Sequence, residues 1–265
     1  MKRRWKGLLA GLAVALGLQM TASAADVTVG GVQVAADHGW IENGTSYITL
    51  RAYDALTEYD LSWDGTSARL AGEGLELTAA PGQLYITANG RVLYVEGGVR
   101  VVDGKLTLPL RVLAQATGDV LRWDADAGTA RLERSGKPPK TADYDEEDLY
   151  WLSRIISAES RGETLLGQLA VGSVVLNRVV SPKYPDTVKG VVFDRKYAVQ
   201  FEPVSNGTIY REPVPSAVLA AKMCLEGAGV VEDCLYFYAP ALSAGTWIVN
   251  NATYYTTIGC HRFYR

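Results

Sequence analysis

The stretch DEEDLYWLSRIISAESRGETLLGQLAVGSVVLNRVV, residues 145–180, decides the fold of the C-terminal half of the chain. Asp145 is a favoured helix N-cap, and the three acidic residues after it suit the positive end of a helix. Apolar residues then recur every three or four positions, which predicts an amphipathic helix over residues 145–160. Thr164 is a second N-cap. Residues 165–180 are apolar on nearly all sides and predict a buried central helix.

Glu159 is the candidate catalytic residue of the first helix. At about 100° per residue, the apolar side chains of this helix fall within an arc of about 120°, and Glu159 projects near its middle. These apolar residues are Leu149, Leu152, Ile155 and Ile156. Desolvation raises the pKa of such a carboxyl, which can then stay protonated and donate to a leaving oxygen. The alternative is a Glu at a helix end that turns to water or pairs with Arg161.

Two amides interrupt the apolar second helix. Gln168 lies in its first turn, and Asn177 follows later in the same helix. A buried amide without partners costs roughly 1–3 kcal/mol. Two interpretations stay open: Asn177 ties down a neighbouring loop, or one or both amides orient a sugar or hold the Glu159 carboxyl.

Length and charge exclude some classes of protein. The 265 residues suit one large or two modest domains, and 48% hydrophobic with 21% charged residues is typical of a globular chain. The net charge of -3 offers neither a footprint for nucleic acid nor a basic patch for an acidic membrane. We therefore expect neither nucleic acid nor an acidic membrane surface as a partner.

Residues 1–24 are predicted to be a signal peptide. A basic start precedes the apolar residues 7–18, and Ala22-Ser23-Ala24 fits the small-residue cleavage rule. The apolar run is short for a membrane span, and no later segment is long and apolar enough to span a bilayer. We expect an exported protein that starts near Ala25 and keeps no stable membrane span. An uncleaved anchor is the alternative.

Residues 25–134 are predicted to form a duplicated α+β module. Several dipeptides recur at an offset of 60 residues: Asn43-Gly44 with Asp103-Gly104, Leu50-Arg51 with Leu110-Arg111, and Trp63-Asp64 with Trp123-Asp124. Asn-Gly and Asp-Gly between apolar runs signal hairpins. Each unit therefore predicts a hairpin, a short helix over residues 51–59 or 111–117, and a strand that carries the Trp. Residues 75–78 and 84–87 alternate and predict further strands.

The remaining chain divides into a linker and a second domain. Residues 135–143, rich in Gly and Pro, are predicted to join the module to a domain over residues 144–265. Residues 200–207 combine an aromatic ring with amide and hydroxyl groups, including Gln200, Phe201 and Ser205, which suits a loop beside a glycan. Residues 216–227 predict another helix. The later aromatic stretches favour core over cleft.

The chain contains three cysteines, Cys224, Cys234 and Cys260. An odd count outside the cytosol allows one disulfide with a free thiol, or no disulfide. Cys224 and Cys234 are close enough in sequence to pair, and the pairing stays open.

The duplicated module resembles the copper amine oxidase N-terminal-like domain of exported bacterial proteins. Despite that name we expect no copper, since His38 is the lone histidine of the segment and one histidine does not make a metal site. The module is interpreted as a binding module for the cell wall or for another exported protein, with a spacer that binds no ligand as the alternative.

The C-terminal domain resembles the SleB/CwlJ family of bacterial cell wall hydrolases. The motifs are AESRGE at residues 158–163, GQLAVG at 167–172, LNR at 176–178, the loop at 200–207, Phe237-Tyr238 and GCH at 259–261. The resemblance implies a mainly helical, lysozyme-like fold similar to lytic transglycosylases. It implies that Glu159 is the catalytic acid. It also makes Asn177, Gln200 and Tyr238 substrate-binding candidates, beside Gln168, Phe201 and Ser205.

The function expected from this resemblance is cleavage of the N-acetylmuramic acid–N-acetylglucosamine bond in peptidoglycan strands, in the spore cortex or cell wall, without cofactor or metal. A lytic route needs one carboxylate. A hydrolytic muramidase needs a second, about 5–9.5 Å away, for which Glu163, Asp194 and Glu202 are available. An amidase or peptidase is disfavoured, because zinc needs several ligands and His261 is the lone histidine of the domain. A non-catalytic wall-binding protein is the remaining alternative.

Overall fold

The computed structural model describes residues 27–196 and 200–265. The predicted signal peptide, residues 1–24, lies outside the described residues. Within the described ranges, no helix has the length and apolar composition that crossing a membrane requires.

The N-terminal half consists of short strands and two short helices. In chain order these are β1 (Val27–Val29), β2 (Val32–Gln33), β3 (Gly39–Glu42), β4 (Thr45–Thr49), α1 (Leu50–Ala55), β5 (Asp60–Trp63), β6 (Ala68–Gly72), β7 (Leu75–Ala79), β8 (Tyr85–Ala88), β9 (Arg91–Tyr94), β10 (Arg100–Val102), β11 (Lys105–Pro109), α2 (Leu110–Thr117), β12 (Val120–Asp124) and β13 (Thr129–Glu133). Within residues 27–133 the strands form three sheets, ordered β12-β13-β1-β2, β10-β11-β4-β3 and β5-β6-β7-β8-β9.

The two predicted hairpin turns are present, and their strands share one sheet. Asn43 and Gly44 have φ values of 49° and 76°, and Asp103 and Gly104 have 49° and 72°. Positive φ at both central residues is the geometry that Asn-Gly and Asp-Gly favour. Strands β4 and β11 then pair antiparallel. The two halves of the module are therefore joined through one continuous ladder.

Helix α1 is shorter than predicted, ending at Ala55 rather than Tyr59. Asp54 explains the early end, because its carboxylate accepts the Leu61 N–H at 2.8 Å and turns the chain into β5. Tyr59 instead stacks on the buried Tyr53, with ring centroids 6.0 Å apart. A tertiary contact thus replaces the last helical turn.

The C-terminal half is mainly helical, with one small sheet. Its elements are α3 (Glu146–Ser160), α4 (Leu165–Val180), α5 (Val188–Val192), α6 (Glu202–Asn206), a 3-10 turn (Thr208–Tyr210), α7 (Pro215–Leu225), β14 (Tyr236–Tyr238), α8 (Thr246–Asn251), β15 (Tyr254–Ile258) and β16 (His261–Tyr264). The sheet order is β14-β16-β15.

The predicted boundaries of α3 and α4 are confirmed, since both N-caps form. The Asp145 side chain accepts the Asp148 N–H, and Thr164 Oγ1 accepts the Gly167 N–H. Helix α4 is the buried centre and contacts α3, α5 and α7. At Gly172 of α4, an added Cβ would lie 2.6 Å from Cys224 Sγ and 2.7 Å from Ile156 Cδ1. The three long helices therefore meet at a position where a Cβ would force the neighbouring side chains to shift.

The segment after α4 holds more regular structure than expected. Helices α5 and α6 lie where a loop was predicted, and the aromatic stretches form the sheet of β14, β15 and β16. Elements of three to six residues give too short a pattern for periodicity to be diagnostic. All three cysteines are free thiols, Cys224 and Cys234 buried and Cys260 exposed.

A buried ion pair joins the two halves of the molecule. Arg91 of β9 donates from Nε (3.0 Å) and Nη2 (2.6 Å) to the carboxylate of Glu226, at the end of α7, and from Nη1 to the Gln115 carbonyl oxygen at 2.7 Å. The Arg91 and Glu226 side chains are 9% and 14% exposed. The neighbouring Val92 packs into the apolar core of the C-terminal half. Strand β9 therefore belongs to both cores.

The segment between the halves is attached to the N-terminal half at both ends. The Ser135 N–H donates to Asp119 Oδ1 at 3.0 Å, and the Ala142 N–H donates to the Asn89 carbonyl oxygen at 3.0 Å. These bonds fix the direction in which the chain enters α3.

Candidate active site

Glu159 lies in the last turn of α3 and lines an open cleft of about 290 Å³. Leu152, Ile155 and Ile156 on the same helix are completely buried, while Glu159 is half-buried. The opposite wall comes from α6 and the 3-10 turn, including Glu202, and from Leu242. The carboxyl thus faces a space that a ligand can enter.

The pKa of Glu159 is raised to about 7, mainly by burial. The negative charge of Glu202 contributes to this rise, and the positive charge of Arg178 opposes it. Glu159 has no salt bridge among the described residues, so the alternative pairing with Arg161 is not observed. A group with such a pKa is largely protonated just below neutral pH and can act as an acid and afterwards as a base.

Arg178 is a buried cation that the sequence did not single out as a site residue. It lies near the end of α4, where its Nε donates to the Leu235 carbonyl oxygen at 2.8 Å. Its guanidinium faces the rings of Tyr184 and Phe201 at 5.0 and 5.1 Å. Its Nη1 is buried without a hydrogen-bond partner. Burial lowers the pKa of Arg178, and its incompletely compensated charge acts on Glu159.

Of the three carboxylates considered as partners, the structure places Glu202 in the same cleft as Glu159. Glu163 instead holds the turn between β15 and β16: its carboxylate accepts the Cys260 N–H at 3.3 Å and lies 3.8 Å from His261 Nδ1. Asp194 accepts the Lys196 N–H at 2.9 Å. Neither of these two residues lines the cleft.

The two amides of α4 contact backbone groups. Gln168 Nε2 donates to the Glu163 carbonyl oxygen at 3.2 Å. Asn177 Nδ2 donates to the carbonyl oxygens of Glu232 and Cys234 at 2.5 and 3.0 Å. For Asn177 these are the contacts of the loop-anchoring alternative. Neither amide lines the Glu159 cleft, and their role in binding sugar stays a prediction.

The other predicted substrate-binding residues do not line the cleft. Phe201, 2% exposed, packs in the core near Phe237. Gln200 is half-buried, and Ser205 is exposed in α6. Tyr238 of β14 lies against Tyr264, with ring centroids 5.8 Å apart. Their roles also stay predictions.

Several residues that do line the cleft were missed as binding residues. These are Arg154, Ser157, Arg161, Asn206, Thr208, Arg211 and Leu242. Arg154, Ser157 and Arg161 lie close to Glu159 in sequence and could have been suspected. The others reach the cleft from the segment before α7 and from the segment before α8, and no spacing rule links these segments to α3.

A larger cleft of about 900 Å³ lies between the two halves of the molecule. Two of its carboxylates, Glu42 and Glu226, are already held in ion pairs with Arg100 and Arg91. No residue considered as an acid, base or nucleophile lines it. The smaller cleft is therefore the better candidate active site, because it contains a carboxyl with a raised pKa.

Family models match both halves of the chain. The model described as Cell Wall Hydrolase matches residues 162–264, beginning just after Glu159, and the model described as Copper amine oxidase N-terminal domain matches residues 20–132. Both resemblances inferred from the motifs are thereby confirmed.

Curated relatives match part of the chain. The spore cortex-lytic enzyme of Bacillus cereus is 35% identical over 127 residues, which are 46% of this chain and 47% of that protein. The spore cortex-lytic enzyme of Bacillus subtilis is 33% identical over 105 residues, which are 40% of this chain and 33% of that protein. The chain spans less than half the length of the curated relatives it matches.

Two solved structures are also similar. The catalytic domain of the germination-specific lytic transglycosylase SleB from Bacillus anthracis is 33% identical, with 48% of this chain and 100% of that chain covered and a TM-score of 0.43. The catalytic domain of the Bacillus cereus SleB protein is 32% identical, with 49% and 99% covered and a TM-score of 0.42. By sequence, residues 20–132 therefore form a copper amine oxidase N-terminal domain and residues 162–264 form a cell wall hydrolase domain.

Proposed function

We propose that the C-terminal domain cleaves the glycosidic bond between N-acetylmuramic acid and N-acetylglucosamine in peptidoglycan, with Glu159 as general acid and base. The observation that carries this function is a half-buried carboxyl that lines an open cleft and has a pKa of about 7. The names of the relatives, spore cortex-lytic enzyme and germination-specific lytic transglycosylase, support the substrate class.

The lytic route uses Glu159 twice. Its proton goes to the bridging oxygen as the bond to the muramoyl C1 breaks and positive charge develops there. The Glu159 carboxylate then takes the proton of the muramoyl 6-hydroxyl, whose oxygen closes a 1,6-anhydro ring on C1. Glu159 ends protonated, so the cycle consumes no water. Between the two steps the buried Arg178 stabilises the carboxylate.

A hydrolytic route is the second candidate, and the position of Glu202 favours it. Glu202 lines the same cleft and could activate a water molecule opposite Glu159. Mass spectrometry of the products separates the routes, because the lytic product ends in an anhydromuramoyl residue and the hydrolytic product ends in a reducing sugar. Reducing ends without anhydro sugar would reject the lytic route.

The test of the function is digestion of purified cortex and of vegetative sacculi by the chain without residues 1–24. We expect Glu159→Gln to reduce turnover about 100-fold or more, with glycan binding retained. Glu146→Gln is the matched control, because Glu146 is exposed in the first turn of the same helix. If Glu159→Gln released soluble muropeptides as fast as the control, a non-catalytic wall-binding protein would be the better account.

We propose export and action at the cell wall or spore cortex, with residues 1–24 removed. In this proposal the module over residues 25–134 binds the cell wall or another exported protein, residues 135–143 connect the domains, and residues 144–265 form a lysozyme-like catalytic domain. The repeated dipeptides, the Pro-rich linker and the two family matches support this division.

A further inference from the structure

The cleft around Glu159 carries an excess of positive charge. Arg154, Arg161 and Arg211 all line it. Arg161 and Arg211 are exposed, and neither has an acidic partner among the described residues. Glu202 opposes these cations in the cleft lining, whereas Glu159 is neutral in the protonated state that the reaction requires.

The third arginine is held in place. The Arg154 guanidinium lies over the Tyr150 ring, 3.7 Å from its centroid, and Nη2 donates to Glu212 at 2.9 Å. Glu212 is 85% exposed, so water screens this pair and leaves part of the Arg154 charge uncompensated. The Arg154 Nε is buried without a hydrogen-bond partner.

The three cations come from two parts of the fold that meet at the catalytic carboxyl. Arg154 belongs to α3, and Arg161 directly follows that helix. Arg211 follows the 3-10 turn on the facing wall. A sugar beside Glu159 would therefore have guanidinium groups on both sides.

We propose that these arginines bind a carboxylate carried by the muramoyl residue, either its lactyl carboxylate or a carboxylate of its stem peptide. The cleft then prefers acid-bearing muramoyl residues to muramoyl residues whose carboxyl is a neutral amide or lactam. This specificity rests on the proposed function, because the muramoyl residue must lie beside Glu159 for its 3-substituent to reach the arginines. Guanidinium forks match carboxylates in shape and charge.

The experiment measures initial cleavage rates on four substrates, arranged in two pairs, at low salt. The first is peptide-free glycan strands with free lactyl carboxylates, and the second is the same strands with those carboxylates converted to neutral methylamides. The third is strands that keep their stem peptides, and the fourth is the amidated form of those strands. Comparison of the two pairs separates the lactyl carboxylate from the carboxylates of the stem peptide. We expect the wild-type chain to cleave acid-bearing strands about three- to tenfold faster than amidated ones, as for two screened ion pairs.

The variant Arg161→Gln with Arg211→Gln should lose this preference, so that its rates on acid-bearing and amidated strands become equal. Replacing both residues by Lys should restore the preference in part. Arg51→Gln is the charge-matched control, because Arg51 is exposed in the N-terminal half. Thermal unfolding confirms that each variant is folded, and the single Gln variants replace the double variant if it is not.

Equal wild-type rates on acid-bearing and amidated strands would overturn the specificity and leave the proposed function intact. The specificity would also be overturned if the double Gln variant cleaved acid-bearing and amidated strands more slowly by the same factor, so that the preference was unchanged. If the wild-type chain cleaved none of the substrates, the proposed function itself would fail. Adding salt should reduce the wild-type preference, since screening weakens exposed ion pairs.

Discussion

Glu159 has two charged neighbours that act on its proton in opposite directions. Glu202 raises the pKa of Glu159, and Arg178 lowers it, against a larger increase due to burial. Because the first chemical step needs the protonated acid, activity should fall as pH rises through about 7. The position of that fall reports the pKa of a single side chain.

Two substitutions should move this fall in opposite directions. Glu202→Gln removes a negative charge, so the pKa of Glu159 decreases and the fall in kcat/KM shifts to lower pH. Arg178→Gln removes a positive charge, so the fall shifts to higher pH. We expect shifts of about half a pH unit to one unit, the size of a partly buried charge interaction.

The measurement is the pH profile of kcat/KM on soluble glycan strands. Asp148→Asn in the first turn of α3 is a control, since this residue is distant in sequence from the cleft and does not line it. Shifts of the same sign for Glu202→Gln and Arg178→Gln would contradict the assigned electrostatics. Shifts of opposite sign could not come from a general loss of folding, because that would affect both profiles in the same way.

The sequence was sufficient to single out Glu159 as a candidate and to name Glu202 among three possible partners, but not to place Glu202 or Arg178 beside it. Helical periodicity places Glu159 in the apolar arc of α3, because that relation is local. Arg178 and Glu202 act on it across tertiary contacts from α4 and α6. The contacts of Asn177 are a second example. The sequence is compatible with a structural and with a sugar-binding role for its amide, and the structure adds the two carbonyl oxygens to which it donates.

At the scale of elements, the close packing of α3, α4 and α7 depends on glycine at position 172, which has no side chain. An added Cβ at Gly172 would collide with Cys224 Sγ and Ile156 Cδ1. Gly172→Ala should therefore destabilise the C-terminal domain by about 1–3 kcal/mol, as overpacking of a filled core does. The gain in helix propensity from Ala, about 1 kcal/mol, offsets part of this cost.

Chemical denaturation followed by tryptophan fluorescence measures this change. Gly162→Ala is the matched control, because an added Cβ there meets nothing within 4 Å. A second variant, Gly172→Ala with Cys224→Ala, removes the sulfur and should recover part of the loss. If Gly172→Ala were as stable as the Gly162→Ala control, the three helices would have room that the structure does not show.

Local signals account for which elements were predicted. The caps Asp145 and Thr164 define the starts of α3 and α4, and Asn-Gly and Asp-Gly define two hairpins, because each signal is complete within a few residues. Helix α5 and strand β14 are too short to show a period. Their stability comes from contacts with α3, α4 and β16, which a single sequence does not display.

At the scale of the whole molecule, the two domains share an interface that no sequence motif predicts. The family matches separate residues 20–132 from residues 162–264, but Arg91 and Glu226 are 135 positions apart in sequence. Their ion pair is nearly buried and coincides with the packing of Val92 in the C-terminal core. The N-terminal half is thus fixed against the end of α7 rather than tethered loosely.

Breaking this pair should release the domains from one another. Arg91→Gln leaves the Glu226 carboxylate buried without its partner, a change that costs about 3–5 kcal/mol in buried pairs. We expect separation of the domains before unfolding of either one. Trypsin should then cut faster after Lys140, and the radius of gyration from small-angle scattering should increase.

Arg69→Gln is the matched control for this change, since Arg69 pairs with Glu76 at the surface of the same module, where both side chains are more than half exposed. Glu226→Gln, which removes the other charge, should reproduce the effect of Arg91→Gln. Cleavage of short soluble strands should persist in both interface variants, because Glu159 and its cleft lie entirely in the C-terminal half. Unchanged proteolysis and scattering in both variants would show that apolar packing around Val92 alone holds the domains together.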